Sequence, residues 1–162
     1  MLLCLREIID VPGNKISFDY EPDLATVPSG SIIRINELPK ARGNVSNSAG
    51  VLKLTANVDA VCLCACARCL KEFQMPLNLD ISVFLTENIE DEEASDYYII
   101  KNEQIDLDKI ITSEILLNLD ERLLCRDDCR GLCHKCGIDL NESSCSCKKE
   151  VDPRLAKLAQ LL

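Results

Sequence analysis

The chain has a single histidine, His134, and shows no nucleophile elbow, no glycine-rich phosphate loop and no framed pair of carboxylates. Nothing in it therefore supplies a recognisable catalytic frame, and the expectation is a protein that is not an enzyme and takes no small-molecule substrate. Basic charge is short as well: 18 Lys and Arg stand against 27 Asp and Glu, for a formal net charge of −9. Such a chain is a poor general binder of phosphate, so any contact with nucleic acid needs a local basic patch or a protein partner. No apolar run approaches the length of a membrane span. The first residues, Met1–Glu7, lack the basic start and apolar centre of a signal peptide, so a cytoplasmic, reducing setting is expected. There, clustered cysteines read as metal ligands or redox thiols, not disulfides. With 162 residues and 47% hydrophobic content, the chain can build one folded domain with a real core.

What the chain has in abundance is cysteine. Ten of its eleven fall into close pairs: Cys62/Cys64, Cys66/Cys69, Cys125/Cys129, Cys133/Cys136 and Cys145/Cys147. Cys133-His134-Lys135-Cys136-Gly137 has the spacing of a zinc knuckle, in which a two-residue gap brings both thiolates to one tetrahedral ion. Gly137 would relieve the tight turn that follows. Cys145 and Cys147 can complete the shell, and four thiolates from this short span point to structural zinc. His134 then reads as a spacer facing solvent.

Cys66 and Cys69 offer two ligands, and Cys125 and Cys129 are the pair left over. The proposed second site is Cys66, Cys69, Cys125 and Cys129, which would pin a hairpin tip to the segment leaving a helix. Two rivals stay open. One is a redox CxxC, although thioredoxin-like motifs open a helix and Cys69 leads into strand-like alternation. The other groups Cys129 with Cys133 and Cys136. Cys62, Cys64 and Cys4 read as small hydrophobes in the core. A zinc ion with four thiolates carries a net −2, so two such sites would bring the chain to about −13. Arg68, Lys71, Arg126, Arg130, Lys135, Lys148 and Lys149 surround the proposed ligands. They either offset the thiolate charge or form a local basic face for RNA phosphates or a protein partner.

Residues 51–66 alternate with period two, placing Leu52, Leu54, Ala56, Val58, Ala60, Cys62, Cys64 and Cys66 on one side. Residues 71–85 answer with Phe73, Met75, Leu77, Leu79, Ile81, Val83 and Leu85. A hairpin with its tip at Cys66–Cys69 follows. A two-residue loop would set 62 against 73, 58 against 77 and 54 against 81, with neighbouring registers open. Pro76 suggests an edge or a bulge. Ser31–Leu38 is a further strand, with a continuation through Val45 that ends at the turn Asn47–Gly50. Residues 86–96 are an acidic run, read as a solvated loop or a docking segment. Tyr97–Ile100 reads as a short strand, and Asp106 can cap a helix over 107–119 with Leu107, Ile110, Ile111 and Ile115 on its apolar face. Asp152-Pro153-Arg154 opens a short terminal helix with a Leu155, Leu158, Leu162 stripe, packed on this chain or on a partner.

Cys66-Ala-Arg-Cys69-Leu70 after a long strand, Glu114–Leu119, Gly131–Gly137, Leu140-Asn141, Cys145-Ser-Cys147 and Asp152-Pro-Arg154 together resemble the YceD family over about residues 30–162. That family often has proline at the position of His134. The resemblance implies a part in the accumulation of large-subunit ribosomal RNA, with the ribosomal RNA precursor or a ribosomal protein as partner. It supplies no active site.

The expected architecture is α+β. A mostly antiparallel sheet with a long hairpin and one packed helix fills 1–120, and a cysteine-rich zinc-knuckle region with a short terminal helix fills 121–162 as part of the same unit. The expected role is a non-enzymatic ribosome biogenesis factor. A redox-regulated zinc chaperone is the alternative, because oxidised thiols release metal and can expose apolar surface.

Overall fold

The computed structural model describes residues 1–24, 27, 30–35, 39–87, 97–120 and 122–147. Its elements in chain order are β1 (Leu2–Cys4), α1 (Arg6–Ile9), β2 (Lys15–Tyr20), β3 (Ile32–Ile35), β4 (Lys40–Ser48), β5 (Val51–Ala65), β6 (Glu72–Thr86), β7 (Tyr97–Ile99), β8 (Gln104–Asp106) and α2 (Leu107–Asn118). The fold is α+β. The main sheet runs β2-β4-β5-β6-β7, with β3 also on β5, and β1 pairs with β8 in a separate two-stranded sheet. All pairings are antiparallel except β6 with β7.

The period-two rows become β5 and β6, strands of roughly 50 Å at about 3.3 Å per residue. β5 is long enough to hold two partners end to end on one edge. β4 takes residues 51–59 and β3 takes 62–64. The even residues of β5 from Leu52 to Cys64 are buried, as are Leu77, Ile81, Val83 and Leu85 of β6. They close one core with Leu107, Ile110, Ile111 and Ile115 of α2 and with Leu5 and Ile8 near the N-terminus. Each such aliphatic side chain contributes roughly 1.5–3 kcal/mol of transfer free energy.

The hairpin register differs from the expected one by two residues. Leu54 faces Val83, Val58 faces Leu79 and Cys62 faces Met75. The cause lies at the tip. Cys66 N–H donates to the Lys71 carbonyl at 3.0 Å and Leu70 N–H donates to the Cys66 carbonyl at 2.9 Å. Leu70 has φ +61°. The loop therefore takes four residues, 67–70, not two. A slip of two keeps every side chain on its face, whereas a slip of one would have turned the apolar row to solvent. Pro76 pairs with Val61, and among the described residues β6 has no second neighbour until Phe84. An imino group without N–H suits that edge.

β4 is a strand in its own right, paired with a different part of β5 from β3, and not a continuation of it. It ends at the expected turn, a two-residue connection through Ala49 (φ +53°) and Gly50 (φ +90°) that sets Ser48 opposite Val51. Asn47, at 2% exposure, anchors the turn. Its Nδ2 donates to the carbonyls of Ile8 at 2.7 Å and Ile9 at 2.9 Å, and its Oδ1 accepts from Gly50 N–H at 2.8 Å. Helix α2 has the expected buried stripe, but the Asp106 side chain makes no capping hydrogen bond. Leu107 N–H instead donates to the Met1 carbonyl at 3.0 Å, and the Asp106 carboxylate lies 3.5 Å from Lys109 Nζ.

Leu38, most of the acidic run (88–96), Lys148, Lys149 and the expected terminal helix from Asp152 to Leu162 lie outside the described residues. Among the described residues no helix is long and apolar enough to cross a membrane.

Candidate metal centres

The tip of the β5–β6 hairpin does not end in solvent. Ala67 N–H donates to the Leu123 carbonyl at 2.8 Å, and Leu132 N–H donates to the Arg68 carbonyl at 3.1 Å. These bonds bring the segment after α2 against the tip, and with it Cys125 and Cys129. Sγ of Cys66 is 3.7 Å from Sγ of Cys129, and Sγ of Cys69 is 3.7 Å from Sγ of Cys125. All four sulfurs lie within 4.8 Å of one another. A tetrahedral zinc ion with bonds of about 2.3 Å holds its sulfurs about 3.8 Å apart, so the donor set and its spacing are compatible with zinc. Cys133, Cys136, Cys145 and Cys147 form a second group within the same limit. The sulfurs converge in the two sets expected from spacing, with Cys129 beside Cys66, Cys69 and Cys125 and not grouped with Cys133 and Cys136.

The two groups differ in setting. Cys66, Cys69 and Cys129 are buried, with Phe73, Leu124 and Leu132 packed on them. In the second, Cys133 is buried but Cys136 and Cys147 are exposed. The thiols are tuned within each group. Burial opposes ionisation of Cys66, yet the backbone amides of Cys125, Cys69 and Arg68 aim at its sulfur and hold it down to about 6. Cys125 is pushed up to about 12 by burial and by the thiols of Cys69, Cys66 and Cys129. Likewise the amides of Cys136 and Lys135 bring Cys133 down to about 6, while hydrogen bonding to Cys136, with burial and Cys133, sends Cys147 up to about 12. Cys66 and Cys133 are thus the readier thiolates, while Cys125 and Cys147 resist ionisation. A divalent cation reverses that balance, releasing protons as it binds, so its affinity grows with rising pH.

Two glycines shape the knuckles. Gly137 has φ +73° with nothing within 4 Å of an added Cβ, so only its backbone conformation calls for glycine. Gly131 has φ +73° as well, and a Cβ there would stand 2.8 Å from the Arg68 carbonyl oxygen. Gly131→Ala is expected to lose about 2–4 kcal/mol through strain and a broken junction, against about 1–2 kcal/mol for Gly137→Ala. Denaturant midpoints of the two variants check this, and equal losses would show that the approach at Arg68 is not tight.

The basic residues are partly engaged by the fold itself. Arg68 Nη1 donates to the Cys129 carbonyl at 2.8 Å. Arg126 Nη2 donates to Asn141 Oδ1 at 2.9 Å and its Nε lies 3.3 Å from the Asp128 carboxylate. Lys71 Nζ is 3.6 Å from Glu142. Arg130 and Lys135 are exposed, and His134 is exposed between its flanking cysteines.

Cys62 and Cys64 are fully buried in the sheet core, and burial pushes the Cys62 thiol up to about 11. Cys4 is not buried with them. It is exposed, because β1 alternates and Leu3 takes the inward position. Asn141 escaped the sequence reading as a site residue. It lies in the second group's loop, yet its Nδ2 donates to Cys129 Sγ in the first at 3.5 Å.

A family model described as large ribosomal RNA subunit accumulation protein YceD matches residues 54–162. The chain is 35% identical over 125 residues to uncharacterized proteins of Mycobacterium tuberculosis and Mycobacterium bovis, an overlap of 72% of this chain and 58% of theirs. It therefore spans little more than half the length of those mycobacterial relatives. It is 26% identical over 163 residues to uncharacterized protein YlbN of Bacillus subtilis, across 98% of this chain and 94% of that one. No solved structure matches the chain.

Proposed function

This chain belongs to the YceD family, and from that premise we propose that it is a non-enzymatic ribosome biogenesis factor that supports accumulation of large-subunit ribosomal RNA. The observation that carries the reading is the extent of the family match. Residues 54–162 contain both four-cysteine groups and nearly the whole hairpin that meets the first of them. Each group is proposed to hold one structural zinc. Four sulfurs fill a tetrahedral shell and leave no open position for water or substrate, so the ions would shape a surface and perform no chemistry. The cysteine-rich region carries Arg68 at the hairpin tip, Arg126 and Arg130 beside the first group and Lys135 within the second, with Lys148 and Lys149 following in sequence. On a chain of net charge −9, a local cationic face is the feature able to meet the phosphates of a large-subunit RNA precursor, or an acidic face of a ribosomal protein bound to it. The work is placed in the cytoplasm.

The expected result is co-sedimentation with large-subunit precursors under reducing conditions. Arg130→Glu combined with Lys135→Glu should weaken it by roughly an order of magnitude at low salt. Cells lacking the protein should under-accumulate large-subunit RNA and recover with the wild-type chain. Normal RNA levels in those cells would end this reading.

One observation favours a second reading, a redox-regulated zinc chaperone: the thiols of Cys136 and Cys147 are exposed to oxidants. Peroxide-driven zinc release with a gain in aggregation suppression, and no co-sedimentation, would select it.

A further inference from the structure

Asn141 belongs by sequence to the second cysteine group, between Cys136 and Cys145, but its side chain serves the first. Nδ2 donates to Cys129 Sγ at 3.5 Å and to Asp139 Oδ1 at 2.7 Å. Oδ1 accepts from Arg130 N–H at 2.8 Å and from Arg126 Nη2 at 2.9 Å. The amide is partly buried, and both of its ends are engaged. What delivers it there is the turn of the second group. Gly137 N–H donates to the Cys133 carbonyl at 2.8 Å, Cys133 N–H to Ile138 at 2.9 Å, and Leu140 N–H to Gly131 at 2.9 Å, while Leu132 bridges to Asp139. Only Arg130, Gly131 and Leu132 separate the last ligand of one group from the first ligand of the next.

We infer that the two centres load as one linked unit, with Asn141 the positioning residue through which metal in the second group tightens metal in the first. The inference rests on the reading that each group holds an ion. A metal-bound thiolate carries negative charge, and an amide aimed at it stabilises that charge. Outer donors of this kind typically change metal affinity by about 10–100-fold. Here the donor's place depends on a knuckle that two thiolates of the other centre hold in shape. Without the second ion, residues 137–141 lose their anchor, and Cys129 Sγ loses its amide. The linkage must be reciprocal: emptying the first group weakens the second by the same factor. Asn is suited to the position because it offers a donor to sulfur and an acceptor to Arg130 and Arg126 together. Aspartate would keep the acceptor and replace the donor with a charge that repels the thiolate.

Cobalt(II) or zinc titration of the full chain against a competing chelator tests this. Wild type is expected to bind two ions. Cys147→Ser should abolish loading of the second group and lower affinity at the first by about 10–100-fold. Asn141→Asp should keep two ions and weaken the first group by a similar or larger factor. Adding Asn141→Asp to Cys147→Ser should cost clearly less than its effect alone, since the amide is already displaced. Retained far-ultraviolet dichroism shows that the sheet survives in each variant. First-group affinity within about twofold of wild type in Cys147→Ser, or additive losses in the double variant, overturns the linkage while leaving two independent centres. Wild type that binds fewer than two ions overturns the two-centre reading and the linkage with it.

Discussion

Replacing Cys129 by serine is expected to remove one metal ion per chain and to loosen residues 122–132 while the second cysteine group and the long hairpin persist. Cys129 is 2% exposed, its sulfur is 3.7 Å from that of Cys66, and its carbonyl accepts from Arg68. A serine there leaves three thiolates and a buried hydroxyl. Structural zinc contributes an apparent 10–16 kcal/mol or so in small domains, comparable to the roughly 5–15 kcal/mol that holds a whole domain together. The rest of the segment has little to replace it. The cysteine-rich region's other contacts with the tip are a few hydrogen bonds, the exposed Lys71–Glu142 pair and the partly buried Leu124 and Leu132. The main core is made by strands and helices that end before residue 120, joined from this region by Leu123, so the sheet should survive. Elemental analysis and hydrogen exchange read both halves of the prediction. Full zinc content, or unchanged protection over 122–132, would refute it.

Ile111→Ala should do the reverse. Ile111 is fully buried in the middle of α2, among the residues that close the sheet's core. Removing its side chain there costs roughly 2–5 kcal/mol from lost transfer energy and the cavity left behind. In a protein of this size that lowers Tm by roughly 5–20 °C. Metal content should not change, because Cys66, Cys69 and Cys129 pack in a cluster separate from the core that holds the helix's buried face. A loss under about 1 kcal/mol would mean that α2 is not pinned to the sheet by this stripe.

The parts of this molecule that could be read in advance are those with a short-range signature. Period two placed β5 and β6, period 3.6 placed α2, and CxxC spacing proposed both cysteine groups. Where the reading slipped, the deciding feature was either invisible in residue type or a contact far away in the chain. The hairpin register depended on Leu70 adopting a left-handed backbone, which leucine rarely signals. The Asp106 cap gave way to the Met1 carbonyl, a partner about a hundred residues away. β1 and β8 exist only because they pair with each other across the whole chain, and three residues carry no period of their own. β2 was more legible than that. Its Ile16, Phe18 and Tyr20 alternate with polar residues, a period-two signal of its own. Asn141 stood among the residues that carry the family resemblance, but nothing about an asparagine between two cysteine pairs says that it will reach back to a third.

Cys66 and Cys129 are 63 residues apart in the chain, and Cys69 and Cys125 are 56 apart. An ion held by the first group therefore closes a ring that encloses β6, β7, β8 and α2. In the denatured chain such a ring acts like a crosslink, removing entropy equivalent to roughly 4 kcal/mol for a loop of this length if the ion stays bound. It also changes what a protease can achieve. A single backbone cut between Cys69 and Cys125, the acidic stretch included, would yield two fragments that remain tethered through the metal and part only when a chelator and a denaturant act together.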